Sequence, residues 1–177
     1  MTAPEFSRPV ALDTIGQTPR ALAIEADEAE RAALARRFGL KAIGRLTATA
    51  SIVLRAGTPV AEGEVQADVV QSCVVTDDPI PATVTEPFQI RFVAEAAVPA
   101  EGEEIELSAE ECDTVFYSGG VIDLGEAAAE TMALALDPFP RGPNADAALR
   151  DAGVIGEGEA GPFGALKALK DRLEGKG

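Results

Sequence analysis

The sequence predicts an α+β fold: an antiparallel β-sheet or partly closed barrel of several amphipathic strands, with two packed helices and a short C-terminal helix. Three observations carry it. Residues 45–55 alternate apolar and polar, with Leu46, Ala48, Ala50, Ile52 and Leu54 on one face and Arg45, Thr47, Thr49, Ser51 and Arg55 on the other. Two more runs of the same period follow after short connections, which leaves no room for the crossover helices that parallel pairs require. Two helical segments each open on an aspartate with a glutamate three residues later, at Asp27/Glu30 and Asp123/Glu126.

In chain order, Ser7–Leu12 and Arg20–Glu25 are short apolar runs that read as strands. Asp27 caps a helix over Glu28–Phe38, closed by Gly39. Its Ala29, Ala33, Leu34 and Phe38 recur at helical spacing and leave Arg31, Arg36 and Arg37 toward solvent. After the strand at 45–55, Gly57–Gly63 with Pro59 supplies a turn, and Val65, Ala67 and Val69 alternate up to Cys73. A third long strand runs through Ala82, Val84, Phe88, Ile90 and Phe92, and Pro87 makes it an edge or bulged strand at that point. Glu95–Glu111 reads as a solubilising acidic loop with one edge strand at Ile105 and Leu107, followed by a short strand at Thr114–Tyr117. A second helix runs from Asp123 through Leu136 until Pro138 and Pro140 stop it. Five glycines between Gly142 and Gly161 predict a linker, and Phe163, Leu166, Leu169 and Leu173 form the apolar stripe of a tethered helix. The organisation is therefore an α+β domain over 1–141, a Gly-rich acidic linker over 142–161 and a short amphipathic helix over 162–177.

Composition narrows the function classes. The 177 residues hold 30 acids, 15 bases and no histidine, a formal charge of -15. Such a chain does not gather nucleic-acid phosphates by bulk charge, since that affinity comes from Lys and Arg displacing counterions. Without histidine, the usual general base near neutral pH and the commonest metal ligand are missing. The acidity is uneven: residues 51–130 hold seventeen acids against Arg55 and Arg91, whereas residues 1–50 hold seven bases against six acids. Cys73 and Cys112 share no short motif, so neither a redox pair nor a zinc knuckle is spelled. The N-terminal residues lack the apolar run of a secretory signal, and no stretch reaches the length of a spanning helix, so a cytoplasmic location is expected. Gly156, Gly158 and Gly161 form a GxGxxG, but no strand leads into it and Glu157 and Glu159 would repel a pyrophosphate. Cys73 reads as a buried structural cysteine, because Asp77 and Asp78 nearby would raise its pKa. No catalytic, cofactor or metal residues emerge.

The run Val70–Thr76 with Pro79, then Glu86, Pro87, Phe88 and Phe92, then Ile122–Glu126 through Ala133–Pro140, resembles the YceD family, also called domain of unknown function 177, in its alphaproteobacterial style. Pro162–Lys170 is similar to the family's C-terminal signature. The resemblance implies a role in accumulation of 23S ribosomal RNA, hence in large-subunit synthesis, processing or stability. Some members carry CxxC pairs that look like metal ligands, one beginning at the position of Cys73. Here Thr76 stands where its second cysteine would be and no cysteine follows Asp137, so a zinc site is not carried over.

The expected function is that of a non-enzymatic ribosome biogenesis factor supporting 23S rRNA accumulation. Its partner would be a basic ribosomal protein or large-subunit assembly factor, or 23S rRNA itself, with no membrane and no small-molecule substrate. The candidate partner surface comprises Arg31, Arg36, Arg37 and Lys41, the acids Glu101, Glu103 and Glu104, and Phe163, Leu166 and Leu169 of the tethered helix. An acidic adaptor unrelated to RNA and a carboxylate/magnesium hydrolase in rRNA processing are the alternatives.

Overall fold

The computed structural model describes residues 4–95 and 113–154. The acidic segment with Glu101, Glu103 and Glu104, the GxGxxG, and the helix with Phe163, Leu166 and Leu169 lie outside the described residues. The described elements are β1 (Pro9–Ala11), β2 (Arg20–Glu25), α1 (Glu28–Arg37), β3 (Ala42–Arg55), β4 (Thr58–Ser72), β5 (Pro79–Ala94), β6 (Asp113–Tyr117), β7 (Val121–Asp123), α2 (Leu124–Leu134) and α3 (Ala145–Asp151). An α+β fold results, with an open five-stranded sheet in the order β2-β3-β4-β5-β6 and a small ladder of β1 with β7.

The alternation in the sequence sets the sheet. Leu46, Ala48, Ala50 and Ile52 of β3, Val65, Ala67 and Val69 of β4, and Val84, Phe88, Ile90 and Phe92 of β5 are all buried in one core. Leu34 of α1 and Leu124, Ala128 and Met132 of α2 are buried in the same core. β2–β3 and β3–β4 are antiparallel. On β4 and β5, Asp68 meets Thr83 and Glu62 meets Gln89, so one numbering rises as the other falls, as in an antiparallel pair. The fifth strand departs from the expected antiparallel pattern: β6 joins β5 in parallel, from Ile90↔Asp113 to Ala94↔Tyr117. The seventeen residues between Glu95 and Asp113 give the chain the length that a parallel return needs. Pro87 lies outside the stretch paired by β6, so its missing N–H falls where β5 is still an edge on that side.

Three expectations are corrected by local geometry. The turn expected over Gly57–Gly63 is only Ala56-Gly57, both at positive φ (50° and 84°), a two-residue hairpin loop of the type that follows strand twist. β4 then runs unbroken from Thr58, and Gly63 inside it is required, since a Cβ there would land on the Thr49 carbonyl oxygen. Helix α2 ends at Leu134, two residues before the expected Leu136. Residues 142–161, read as a linker, contain α3, whose Asp146 in the first turn and Arg150 in the last suit the helix dipole.

The chain divides into two compact units. The larger holds the described residues up to Gln71 and those from Pro81 to Pro138; the smaller holds Ser72–Ile80 and the described residues from Phe139 to Val154. Among the described residues no helix is long and apolar enough to cross a membrane.

Candidate functional site

In the larger unit the cationic residues of α1 are arranged for folding. Asp27 and Glu30 form a reciprocal capping box, with Glu30 N–H to Asp27 Oδ1 and Asp27 N–H to Glu30 Oε2, each 2.8 Å. The same Glu30 carboxylate takes a bidentate pair from Arg8, at 2.7 and 2.9 Å. That bond holds the Glu30 carboxyl below its usual range, and the Arg8 guanidinium is raised in return. Arg8 also donates to the Ser7 and Glu25 carbonyls and lies 4.6 Å over the Phe6 ring. Nothing in the local sequence around Arg8 marks it, because its partners are 17 and 22 residues away.

Arg37 binds Glu126 through both terminal nitrogens, at 2.9 and 2.6 Å, and reaches Glu5 at 3.0 Å and Glu130 at 4.0 Å. Hydrogen bonding to Glu126, the largest effect, raises the Arg37 pKa. Burial, with Glu126 next to it, pushes Glu130 upward. Arg31 donates to the Ala26 carbonyl at 2.6 Å. The Lys41 backbone N–H donates to Val70, and Arg45 pairs with Asp68 at 2.9 Å. Arg36 remains exposed and without a side-chain partner among the described residues. Of the four bases assigned to a partner surface, Arg37 is exposed but ion-paired with Glu126 and Glu5, Arg31 donates at the start of the helix, Arg36 points outward, and Lys41 is anchored through its backbone to β4.

The segment Ile122–Glu126 completes this clamp. Asp123 Oδ1 accepts from the N–H groups of Gly125, Glu126 and Arg8, and Oδ2 from the Ser7 hydroxyl. One carboxylate therefore caps α2 and holds the Ser7–Arg8 segment that leads into β1. Gly125 allows that segment to approach: a Cβ would run into the Phe6 carbonyl oxygen and lie 3.0 Å from the Arg8 nitrogen.

The smaller unit is built around Cys73. The turn closes on Cys73 N–H to Asp78 O and Asp77 N–H to Cys73 O, with Asp77 at positive φ. Val74 N–H donates to Pro140 O, and Gly142 N–H donates to the Cys73 sulfur at 3.3 Å. Cys73 is buried, as expected, but its acid neighbours do not govern it. The Gly142 amide, then the Thr76 hydroxyl, then backbone amides of Thr76 and Val75 face the sulfur and lower the thiol pKa from 9.0 to about 7. Thr76, at the place of a second cysteine, is within reach of the thiol and of Asp78 Oδ2, 2.8 Å away. Asn144 bonds the other side of Asp78 Oδ2 at 3.2 Å. Val74 and Phe139 of this unit are 53% and 73% exposed, an apolar surface that the residue pattern did not single out.

Residues 61–170 match the family model described as "Large ribosomal RNA subunit accumulation protein YceD". No curated protein and no solved structure matches the chain.

Proposed function

The chain belongs to the YceD family of large ribosomal RNA subunit accumulation proteins, and from that membership we propose that it supports 23S rRNA accumulation as a non-enzymatic factor that binds a basic ribosomal protein or assembly factor. The observation that carries the choice of partner is Arg37. Its charge is answered by Glu126 and Glu5, with Glu130 alongside, so the α1 bases do not add up to a phosphate-binding patch. With a formal charge of -15, the long-range field then favours encounter with cationic proteins and disfavours RNA.

The test combines two readouts in the same cells. Depletion lowers the 23S to 16S rRNA ratio, and crosslinking of the tagged protein recovers a basic large-subunit protein. Direct crosslinks to RNA that vanish on Arg36→Glu, a change at an exposed position, would overturn the partner assignment.

A further inference from the structure

We propose that the open edge of β2 is the docking site for an extended, basic segment of a partner protein, which adds to the sheet as a sixth strand. The inference deepens the proposed function and rests on its basic partner. Among the described residues β2 ends the sheet and pairs with β3 alone, from Arg20↔Ile52 to Glu25↔Thr47. The same register continues to Ala26, whose N–H donates to Leu46 O at 3.0 Å. Hydrogen-bonded pairs alternate along an antiparallel ladder, so Leu22 and Ile24 aim their backbone groups at β3 while Ala21, Ala23 and Glu25 aim theirs away. Arg8 agrees with this assignment, since its Nη2 takes the outward Glu25 carbonyl at 2.8 Å and closes that end. The N–H and C=O groups of Ala21 and Ala23 stay unpaired among the described residues.

Natural sheets protect such edges with lysine, proline or bulges, and β2 carries none of these. Leu22 and Ile24 are half-buried against the core and would be covered by apolar residues of an added strand. On the opposite face Ala21, Ala23, Thr49 and Ser51 floor a shallow trough of about 470 Å³. The rows Ala21–Ser51–Glu62 and Ala23–Thr49–Glu64 lead across it from the edge to carboxylates. Glu62 is held by Arg55 and Gln89 and Glu64 accepts from Gln66 at 2.7 Å, but neither Glu25 nor Glu64 has an ion pair among the described residues. Small side chains on the floor and, beside it, two carboxylates with no cation among the described residues fit long cationic side chains on alternate residues of the incoming strand. A six-residue edge is too short for a stable dimer of two chains that each carry -15, which is why a peptide segment is the occupant.

The test uses the isotopically labelled full chain and two synthetic peptides, one alternating lysine and valine, the other glutamate and valine. The lysine peptide is expected to slow exchange of the Ala21 and Ala23 amides about tenfold, with the already bonded Leu22 and Ile24 amides unchanged. Ala23→Pro removes an outward N–H and should weaken binding about tenfold; a lysine peptide N-methylated at alternate residues tests the same bonds without altering the protein. Equal binding of the glutamate peptide, protection elsewhere, unweakened binding of the methylated peptide, or concentration-dependent protection of Ala21 and Ala23 before peptide is added would each overturn the proposal, the last because the occupant is then a second copy. If the lysine peptide docks on β2 while depletion leaves the 23S to 16S ratio unchanged, the edge site stands and the proposed function falls. If depletion lowers the ratio and β2 binds no peptide, the reverse holds.

Discussion

Two segments inside the family-matched residues 61–170, Ile122–Glu126 and the Cys73 turn, use their polar atoms in opposite ways. At Asp123 the acceptors are saturated by Ser7, Arg8, Gly125 and Glu126, and Gly125 has no space for a side chain. At Cys73 the donors converge on a sulfur that needs none of them to be satisfied, beside exposed Val74 and Phe139. The first segment is a clamp whose motif is explained by folding alone. The second spends backbone amides on stabilising a charge, which folding alone does not require.

The sharpest way to break the comparison is to fill the space at Gly125. Gly125→Ala forces a Cβ against the Phe6 carbonyl and the Arg8 amide, and neither backbone group can rotate away. Denaturant unfolding should show a loss of about 3 kcal/mol, the upper end for overpacking. A loss under about 0.5 kcal/mol would mean the Ser7–Arg8 segment is not held where the clamp puts it. Asp123→Ala comes next, at about 2 kcal/mol, because a helix cap and bonds to the Ser7–Arg8 segment are lost together. Asp123→Asn should recover part of this, since one oxygen remains to accept.

How far these regions were legible follows from the range of their interactions. The Asp27 and Asp123 caps are local, three-residue relations, and both appear where the spacing put them. The long strands β3 and β5 were legible because a period of two over some ten residues has one physical explanation, whereas β4 was legible only from Val65, its first half being hidden by the glycines and Pro59 that read as a turn. Arg8 was not legible: an arginine between Ser7 and Pro9 has no local pattern, and its value comes from Glu30 and Glu25 across the fold. The same holds for the partners of Arg37, which lies on the exposed face where the helical wheel puts it but is ion-paired there with Glu5 and Glu126, 32 and 89 residues away in the chain. β7 is three residues long and exists only through its pairing with β1. The smaller unit joins segments some sixty residues apart, Ser72–Ile80 and Phe139 to Val154, so no linear reading of 142–161 could assemble it.

The ion pairs of the clamp should contribute less than its caps. In a double-mutant cycle of Arg37→Ala and Glu126→Ala, the coupling is expected at about 0.5–1 kcal/mol, because both side chains are still partly solvated. The pH dependence has a definite sign. Glu30 has a lowered pKa in the folded state, so its contribution is present above the ordinary glutamate pKa and is lost as pH falls through the lowered value. Arg8→Ala should therefore flatten the acid limb of the stability curve, measured by urea midpoints between neutral and acid pH. An unchanged limb would show that the Arg8–Glu30 pair is not formed in solution.

The smallest effect on stability, and the most direct test of the contrast, lies at Cys73. In a Cys112→Ser background, where Cys73 is the one thiol left, thiolate absorbance should titrate with a midpoint about 7, against 9.0 for an ordinary thiol. Because the folded pKa is the lower one, the stabilisation is present above the ordinary thiol pKa and disappears as pH falls through about 7, so Cys73→Ser should cost more in alkaline than in mildly acid buffer. Thr76→Val removes the threonine hydroxyl and keeps the shape; it should move the midpoint upward, and it should also lower the unfolding transition by about 1 kcal/mol at acid pH, because the bond to Asp78 Oδ2 goes with it. The Gly142 amide, the largest influence, still faces the sulfur in that variant, so the midpoint should stay below the ordinary value. A midpoint near 9.0 for Cys73 in the Cys112→Ser background would remove the contrast altogether and make the Cys73 turn, like the Asp123 clamp, a matter of folding only.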